Sequence, residues 1–204
     1  MRASFILIVG LLIPASAAAQ QPLARADFVA SIGSFGANHR DVSDRDQWTH
    51  DLFRGLGAGV YWTEHLKAEI EVAWTGRSEV YGVEDLRIAG LPFARVYSEH
   101  RFQYFKTSIA QTYQFGRNAW AHPYLGAGVD LDRERHEIER AQQTISGIRV
   151  PALDQTTTTL RARPFVRGGL KAYFSERGFF RGEVHVGVGS RPQVIWKAGL
   201  GFDF

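Results

Sequence analysis

Val194-Ile195-Trp196-Lys197-Ala198-Gly199-Leu200-Gly201-Phe202-Asp203-Phe204 alternates apolar with polar or small residues up to a terminal phenylalanine. At the strand period of two, Val194, Trp196, Ala198, Leu200, Phe202 and Phe204 share one face, and Gln193, Lys197, Gly199, Gly201 and Asp203 share the other. This is the pattern of a strand with one face for lipid. Working back along the chain, strand-like runs recur between turn signals at roughly 26–35, 52–62, 66–75, 102–115, 121–131, 160–174, 179–189 and 193–204. They predict an all-β chain of eight strands.

The connections alternate in length. Thr63-Glu64-His65, Gly116-Arg117-Asn118-Ala119 and Ser175-Glu176-Arg177-Gly178 are tight turns, whereas 36–51, 76–101 and 132–159 are long and polar, and only 190–192 breaks the pattern. Short turns at one end and long loops at the other predict an antiparallel up-and-down transmembrane β-barrel with the short side periplasmic. An even strand count puts both termini on that side.

Facing is clearest in the sixth run. Leu160, Ala162, Pro164, Val166, Gly168, Leu170, Ala172 and Phe174 alternate with Arg161, Arg163, Phe165, Arg167, Gly169, Lys171 and Tyr173. The seventh sets Phe180, Val184, Val186 and Val188 against Arg181, Glu183 and His185, and the third sets Leu66, Ala68, Ile70, Val72 and Trp74 against Lys67, Glu69 and Glu71. A soluble two-sided barrel would turn the apolar row inward and hold these charges outside. Aromatic residues gather near strand ends: Trp62, Tyr113, Phe115, Trp120, Phe174, Phe180, Phe202 and Phe204 toward one rim, and Trp74, Phe105 and Trp196 toward the other. Two interfacial girdles are expected from that clustering, although strands are rich in aromatics in any setting. The first and fourth runs choose no face cleanly.

At the other end, Met1-Arg2 precedes Phe5-Ile6-Leu7-Ile8-Val9-Gly10-Leu11-Leu12-Ile13 and the small residues Ala15 to Ala19. A basic start, an apolar core too short to span a membrane and small residues at Ala17 and Ala19 predict a signal peptide over 1–19, leaving a single domain over 20–204. The formal charge of +3 becomes +2 without Arg2, as 23 basic residues then face 21 acidic ones, and they are spread along the chain. That distribution argues against nucleic acid as a partner. There is no cysteine, which removes disulfides, thiolate metal sites, cysteine nucleophiles and a lipid anchor on cysteine.

Taken together, the leader, the hairpin stretch Val60-Tyr61-Trp62-Thr63-Glu64-His65-Leu66-Lys67-Ala68-Glu69, the glycine-alternating Tyr124-Leu125-Gly126-Ala127-Gly128-Val129 and the ending Gly199-Leu200-Gly201-Phe202-Asp203-Phe204 resemble the small eight-stranded outer-membrane barrels that include the OmpA transmembrane domain, OmpX and OmpW. The resemblance implies a bacterial outer-membrane location, with outer-membrane lipids and lipopolysaccharide as surroundings. It also implies an assembly machinery that reads the last strand, with Trp196, Phe202 and Phe204 as girdle and assembly signal. With nothing after Phe204, no peptidoglycan-binding domain is expected.

With the charged faces inward, Glu69, Glu71, Asp130, Glu183 and Asp203 meet Lys67, Lys106, Arg161, Arg163, Arg167, Lys171, Arg181 and Lys197 in the lumen, with His185 beside Glu183. An eight-stranded barrel is only wide enough to be filled by side chains, so these groups are expected to form an ion-paired plug, with Lys171 near Glu183. Gly55, Gly57 and Gly59 should leave room beside Glu69 and Glu71. The excess of basic groups in this set suits, as an alternative, a narrow channel for small anions.

Catalysis finds little support. Some small outer-membrane barrels modify lipid with a histidine, a serine and a carboxylate, yet none of the seven histidines is followed two residues later by serine. Ser98-Glu99-His100 has the residue types, but neighbours in an extended segment do not converge as a triad must. No histidine pair has ligand spacing on one face, so neither metal nor cofactor is expected. The long loops are left to carry any extracellular partner. Residues 132–143 interleave charges and either continue the strands or form a short helix, while Val80–Val83 and Ile88–Ala94 are apolar enough to fold over the mouth or bind a partner.

Overall fold

The structure, a computed structural model, describes residues 26–40, 46–88, 91–116, 120–189 and 192–204. The expected signal peptide lies outside these residues. The strands are β1 (Ala26–Arg40), β2 (Asp46–Tyr61), β3 (Leu66–Thr75), β4 (Ser78–Ile88), β5 (Leu91–Gln114), β6 (Ala121–Arg140), β7 (Gln143–Ile145), β8 (Ile148–Val150), β9 (Leu153–Tyr173), β10 (Gly178–Gly187) and β11 (Gln193–Asp203). Neighbours pair antiparallel in the order β1, β2, β3, β5, β6, β9, β10, β11, and β11 returns to β1, closing a ring of eight strands. β4 continues β3 beyond Gly76 and pairs with the upper half of β5, so it lengthens the wall without adding a place to the ring.

The register fixes the shape of the ring. From Asp27 the paired residues run through Gly59, Glu69, Ala110, Gly128, Phe165, Gly187 and Gln193 and return to β1 at Ala37, ten residues above the start. Strands rise ~3.3 Å per residue and lie ~4.8 Å apart. A ten-residue stagger over eight strands therefore tilts them by about 40° and gives a cylinder that side chains can fill.

The alternation sorts the two faces. Phe28, Ile32, Leu56, Ile70, Ile109, Leu125, Val166, Leu170 and Leu200 point outward and are exposed, while lysine, arginine, aspartate and glutamate occupy the interior. This is the inverse of a soluble barrel. At the short-turn end Trp62, Tyr113, Phe115, Trp120, Phe174, Phe180, Phe202 and Phe204 all face out, with ring pairs such as Phe174–Phe180 at 4.8 Å. Toward the other end Trp74 and Phe105 face out as directly paired neighbours, and Trp196 faces out on β11.

Two expectations need correction. The segments 36–51, 76–101 and 132–159 are not simply loops, because β1–β2, β4–β5 and β6–β9 continue as paired strands through most of their described residues. Opposite charges placed side by side support this extension: Arg101 bonds Glu99 at 2.7 Å and Glu139 at 2.9 Å, and Arg135 meets Glu137 at 2.7 Å. The bonded Glu99 carboxylate raises the Arg101 guanidinium pKa above its ordinary value. At the tip, the β7–β8 hairpin turns through Ser146 and Gly147, whose φ of 50° and 80° is the left-handed pair of a type I′ turn. The second correction concerns the interior, which is not charged throughout. Phe35, Ala37, Phe53, Ala73, Phe102, Tyr104 and Ile195 form a buried apolar layer toward the long-hairpin end, with Phe35 and Tyr104 rings 4.7 Å apart. β1 and β5 cross this layer, so each carries large apolar side chains on both faces, Phe35 inward and Ile32 outward on β1, Tyr104 inward and Phe105 outward on β5, and that hides their phase.

Candidate functional site

Below the apolar layer, and level with it on the β6–β9–β10 side, the lumen is a column of charged side chains in three storeys, the uppermost pairing directly with the layer at Ala73–Lys106 and Ile195–His185. In the lowest, Lys171 Nζ lies 2.6 Å from Asp203 Oδ1 and 3.3 Å from Asp27 Oδ2, and donates to Tyr61 Oη at 2.9 Å. Lys67 Nζ joins Asp27 at 2.8 Å to Glu69 at 2.6 Å. Tyr61 donates to Asp27, Tyr173 donates to Asp203, and Gln114 donates to Tyr61. The register explains the convergence, because Asp27 pairs with Asp203 across the β1–β11 seam and with Gly59, which leaves the space a side chain would fill.

The middle storey centres on Glu69 and Glu183. Glu69 Oε1 accepts from Arg167 and Arg181, each at 2.8 Å. Glu183 Oε2 accepts from Arg181 and, at 2.8 Å, from Tyr124, while its Oε1 lies 2.9 Å from Lys197. Lys197 also bonds Glu71, and Arg167 donates to Thr112 Oγ1 at 2.6 Å. Glu71 fills the space beside Gly55, where a Cβ would stand 2.7 Å from its carboxylate. In the upper storey Lys106 Nζ meets Asp130 and Asp132, each at 2.6 Å, and Gln193 at 3.1 Å. His185 Nε2 lies 2.9 Å from Asp130, with its ring stacked 4.0 Å from Phe165, and Arg163 Nε lies 3.7 Å from Asp132.

Glu69, Glu71, Asp130, Arg163, Arg167, Lys171, Arg181, Glu183, His185, Lys197 and Asp203 are thus all buried in one continuous column. Arg161 shares their face but is only half-buried at the outer end of the column. Lys171 does not approach Glu183 as expected. Across the β9–β10 pair its neighbour is Arg181, so it turns down to the aspartates while Arg181 takes Glu183. Trp196, Phe202 and Phe204 face outward, and the Phe204 N–H donates to the Ala26 carbonyl at 2.9 Å, which lengthens the seam by one bond.

Asp27 and Asp132 are the acids that sequence reasoning missed. With them the column holds, among the described residues, seven carboxylates, Asp27, Glu69, Glu71, Asp130, Asp132, Glu183 and Asp203, against the seven cations Lys67, Lys106, Arg163, Arg167, Lys171, Arg181 and Lys197; Arg140, also buried, lies above it at the end of β6. Within this column of described residues there is no basic excess of the kind that suited an anion channel. Asp27 alternates with outward Phe28, but the inward Val29 and Phe35 on its own face obscure that signal. Asp132 lies in the extended part of β6, where polar residues on both faces give a loop-like pattern. A small void beside Ser31, Glu71, Arg181 and Lys197 has room for about one water molecule.

Residues 98–100 do not converge. Ser98 and His100 turn into the barrel mouth, where His100 Nδ1 lies 3.0 Å from His136 Nε2, while Glu99 turns outward to Arg101. Among the described residues no group of three or more histidines and carboxylates is placed to hold a metal ion.

A family model for the outer membrane protein beta-barrel domain matches residues 5–191. Among solved structures, Neisserial surface protein A aligns with a TM-score of 0.57 at 12% identity, over 88% of this chain and 99% of that one. The N-terminal β-barrel domain of Pseudomonas aeruginosa OprF aligns at 0.50 and 16% identity, over 89% and 98%. Ail, the attachment invasion locus protein of Yersinia pestis, aligns at 0.51 and 10% identity, over 88% and 99%. No curated protein matches in sequence.

Proposed function

The chain belongs to the outer membrane protein β-barrel domain family and resides in the bacterial outer membrane, and from that premise we propose that it is a closed, non-catalytic barrel that anchors its long outer hairpins at the cell surface. In this role residues 1–19 direct export, the strand ending at Phe204 is read by the outer-membrane assembly machinery, and the β4–β5 and β6–β9 hairpins meet an extracellular partner. The observation that carries the proposal is the balance of the lumen: among the described residues seven carboxylates and seven Lys/Arg side chains of the column are ion-paired across the barrel, beneath and beside a layer of apolar side chains. An ion entering this space would have to break existing pairs in a water-poor interior, at a desolvation penalty of several kcal/mol per ion.

Purified, refolded protein in planar lipid bilayers tests this directly, with Arg167→Ala recorded alongside at low and moderate salt. The wild type is expected to be silent. Steady unitary conductance from the wild type, altered in Arg167→Ala, would instead make the protein a small-solute channel.

A further inference from the structure

Two arginines stand on the wrong side of the wall. Arg54 on β2 points outward between the outward Leu52 and Leu56, and its paired neighbours are Ile32 on β1 and Trp74 on β3. Arg133 on β6 also points outward, above Leu131, and pairs with Phe105 on β5 and Leu160 on β9. Because Trp74 pairs with Phe105, the four side chains form one row across adjacent strands: Arg54, Trp74, Phe105, Arg133. Neither arginine has a hydrogen bond or ion pair among the described residues. The outward arginines beyond the apolar wall do: Arg77 faces Glu137 at 4.0 Å, Arg101 bonds Glu99 and Glu139, and Arg135 meets Glu137.

An unpaired guanidinium in a lipid-facing wall calls for an anion supplied by the lipid. Three strand steps of ~4.8 Å separate the two backbones by about 14 Å. The strand tilt raises the row by about 3 Å per strand toward β6. Arg133 therefore stands at the outer rim, and Arg54 sits lower, with a stem long enough to snorkel upward beside Leu52. Between and below them Trp74, Phe105, Val72, Ile70 and Ile109 offer a smooth apolar floor.

We propose that this row is a binding site for one outer-leaflet glycolipid carrying two phosphate groups, with a phosphate on each arginine and acyl chains lying over Trp74, Phe105 and the strands below. Two separated cations flanking an apolar floor match a headgroup with two separated anions better than a single-phosphate lipid, which can satisfy only one of them at a time. The site rests on the outer-membrane placement and is independent of whether the lumen conducts.

The test uses the refolded full chain in mixed micelles with bisphosphorylated lipid A, monophosphorylated lipid A or phosphatidylglycerol, with retained lipid counted by native mass spectrometry. Bisphosphorylated lipid A should be retained at least about tenfold over the other two. Arg54→Gln and Arg133→Gln should each remove most of that preference, and the double substitution all of it, whereas Arg101→Gln, at an arginine with its own carboxylates, should leave it intact. Heat-modifiable gel migration reports folding of each variant, and Arg54→Lys, which keeps the charge, serves if Arg54→Gln fails to fold and should retain more lipid than Arg133→Gln. Equal retention of all three lipids, or a folded double variant that binds as the wild type does, would overturn the site.

Discussion

Glu69 satisfies two guanidinium groups with one oxygen, from Arg167 and Arg181, while its other oxygen faces Lys67. Removing it leaves cations without compensation in a closed interior, so Glu69→Ala should cost roughly 3–5 kcal/mol, read as a lowered urea midpoint in lipid vesicles. A loss under about 1 kcal/mol would make the column incidental to stability. Glycine substitutions separate packing from charge. A Cβ on Gly128 would sit 2.1 Å from the Ile109 carbonyl oxygen, whereas one on Gly182 meets nothing within 4 Å. Gly128→Ala should therefore lower the thermal midpoint strongly, and Gly182→Ala should change stability by no more than about 0.5 kcal/mol. Equal effects of the two would contradict the register between β5 and β6. At this scale the charged faces of β3, β9 and β10 were legible in the sequence, because in each, for β9 from Leu160 onward, the charges fall only on alternate positions and the opposite row carries none. Asp27 was not, since Val29 and Phe35 share its inward face and blur the pattern.

The individual strands were legible where lipid lies outside and charge inside. Beyond the membrane that contrast fades: Thr156, Thr157 and Thr158 are all exposed, and Arg135, Glu137 and Glu139 put charges of both signs on one outward face. Period-two hydrophobicity has no cause there, and the strands persist through backbone pairing and ion pairs. These outer parts should be separable from the barrel. Arg140 and Leu153 already face each other in the β6–β9 ladder, so a two-residue turn can replace 141–152. The shortened protein is expected to keep the heat-modifiable migration of the parent, and loss of that shift would show that the β7–β8 tip supports the wall. Removal of Phe204 acts at the other end. It deletes one seam hydrogen bond and an exposed ring, so refolding into detergent should be nearly unchanged. The amount of barrel reaching the outer membrane in cells should fall several-fold if the last strand is the assembly signal.

At the scale of the whole molecule, the number of strands could be counted in the sequence, but their stagger could not, because register depends on which residues meet across turns. The ten-residue return from Asp27 to Ala37 predicts a strand tilt of about 40°. Polarised infrared dichroism in oriented bilayers measures that angle, and a value below about 30° would contradict the pairing. The apolar layer was equally hidden. Phe35, Phe53, Tyr104 and Ile195 come from four strands, and only closure brings them together.

The seam has a consequence in time. Asp27 and Asp203 share the lowest storey, yet they are nearly the full chain apart in sequence, and the ring closes only where β1 meets β11. Such a contact carries the largest loop-closure entropy in the molecule, which places it last and makes it slow. Until it forms, any partly built sheet ends in two open edges able to pair with another copy. A nascent chain that began to pair on export would be a template for aggregation throughout its passage. Safety therefore favours a polypeptide held unfolded until β11 has crossed, and then zipped shut in a single event.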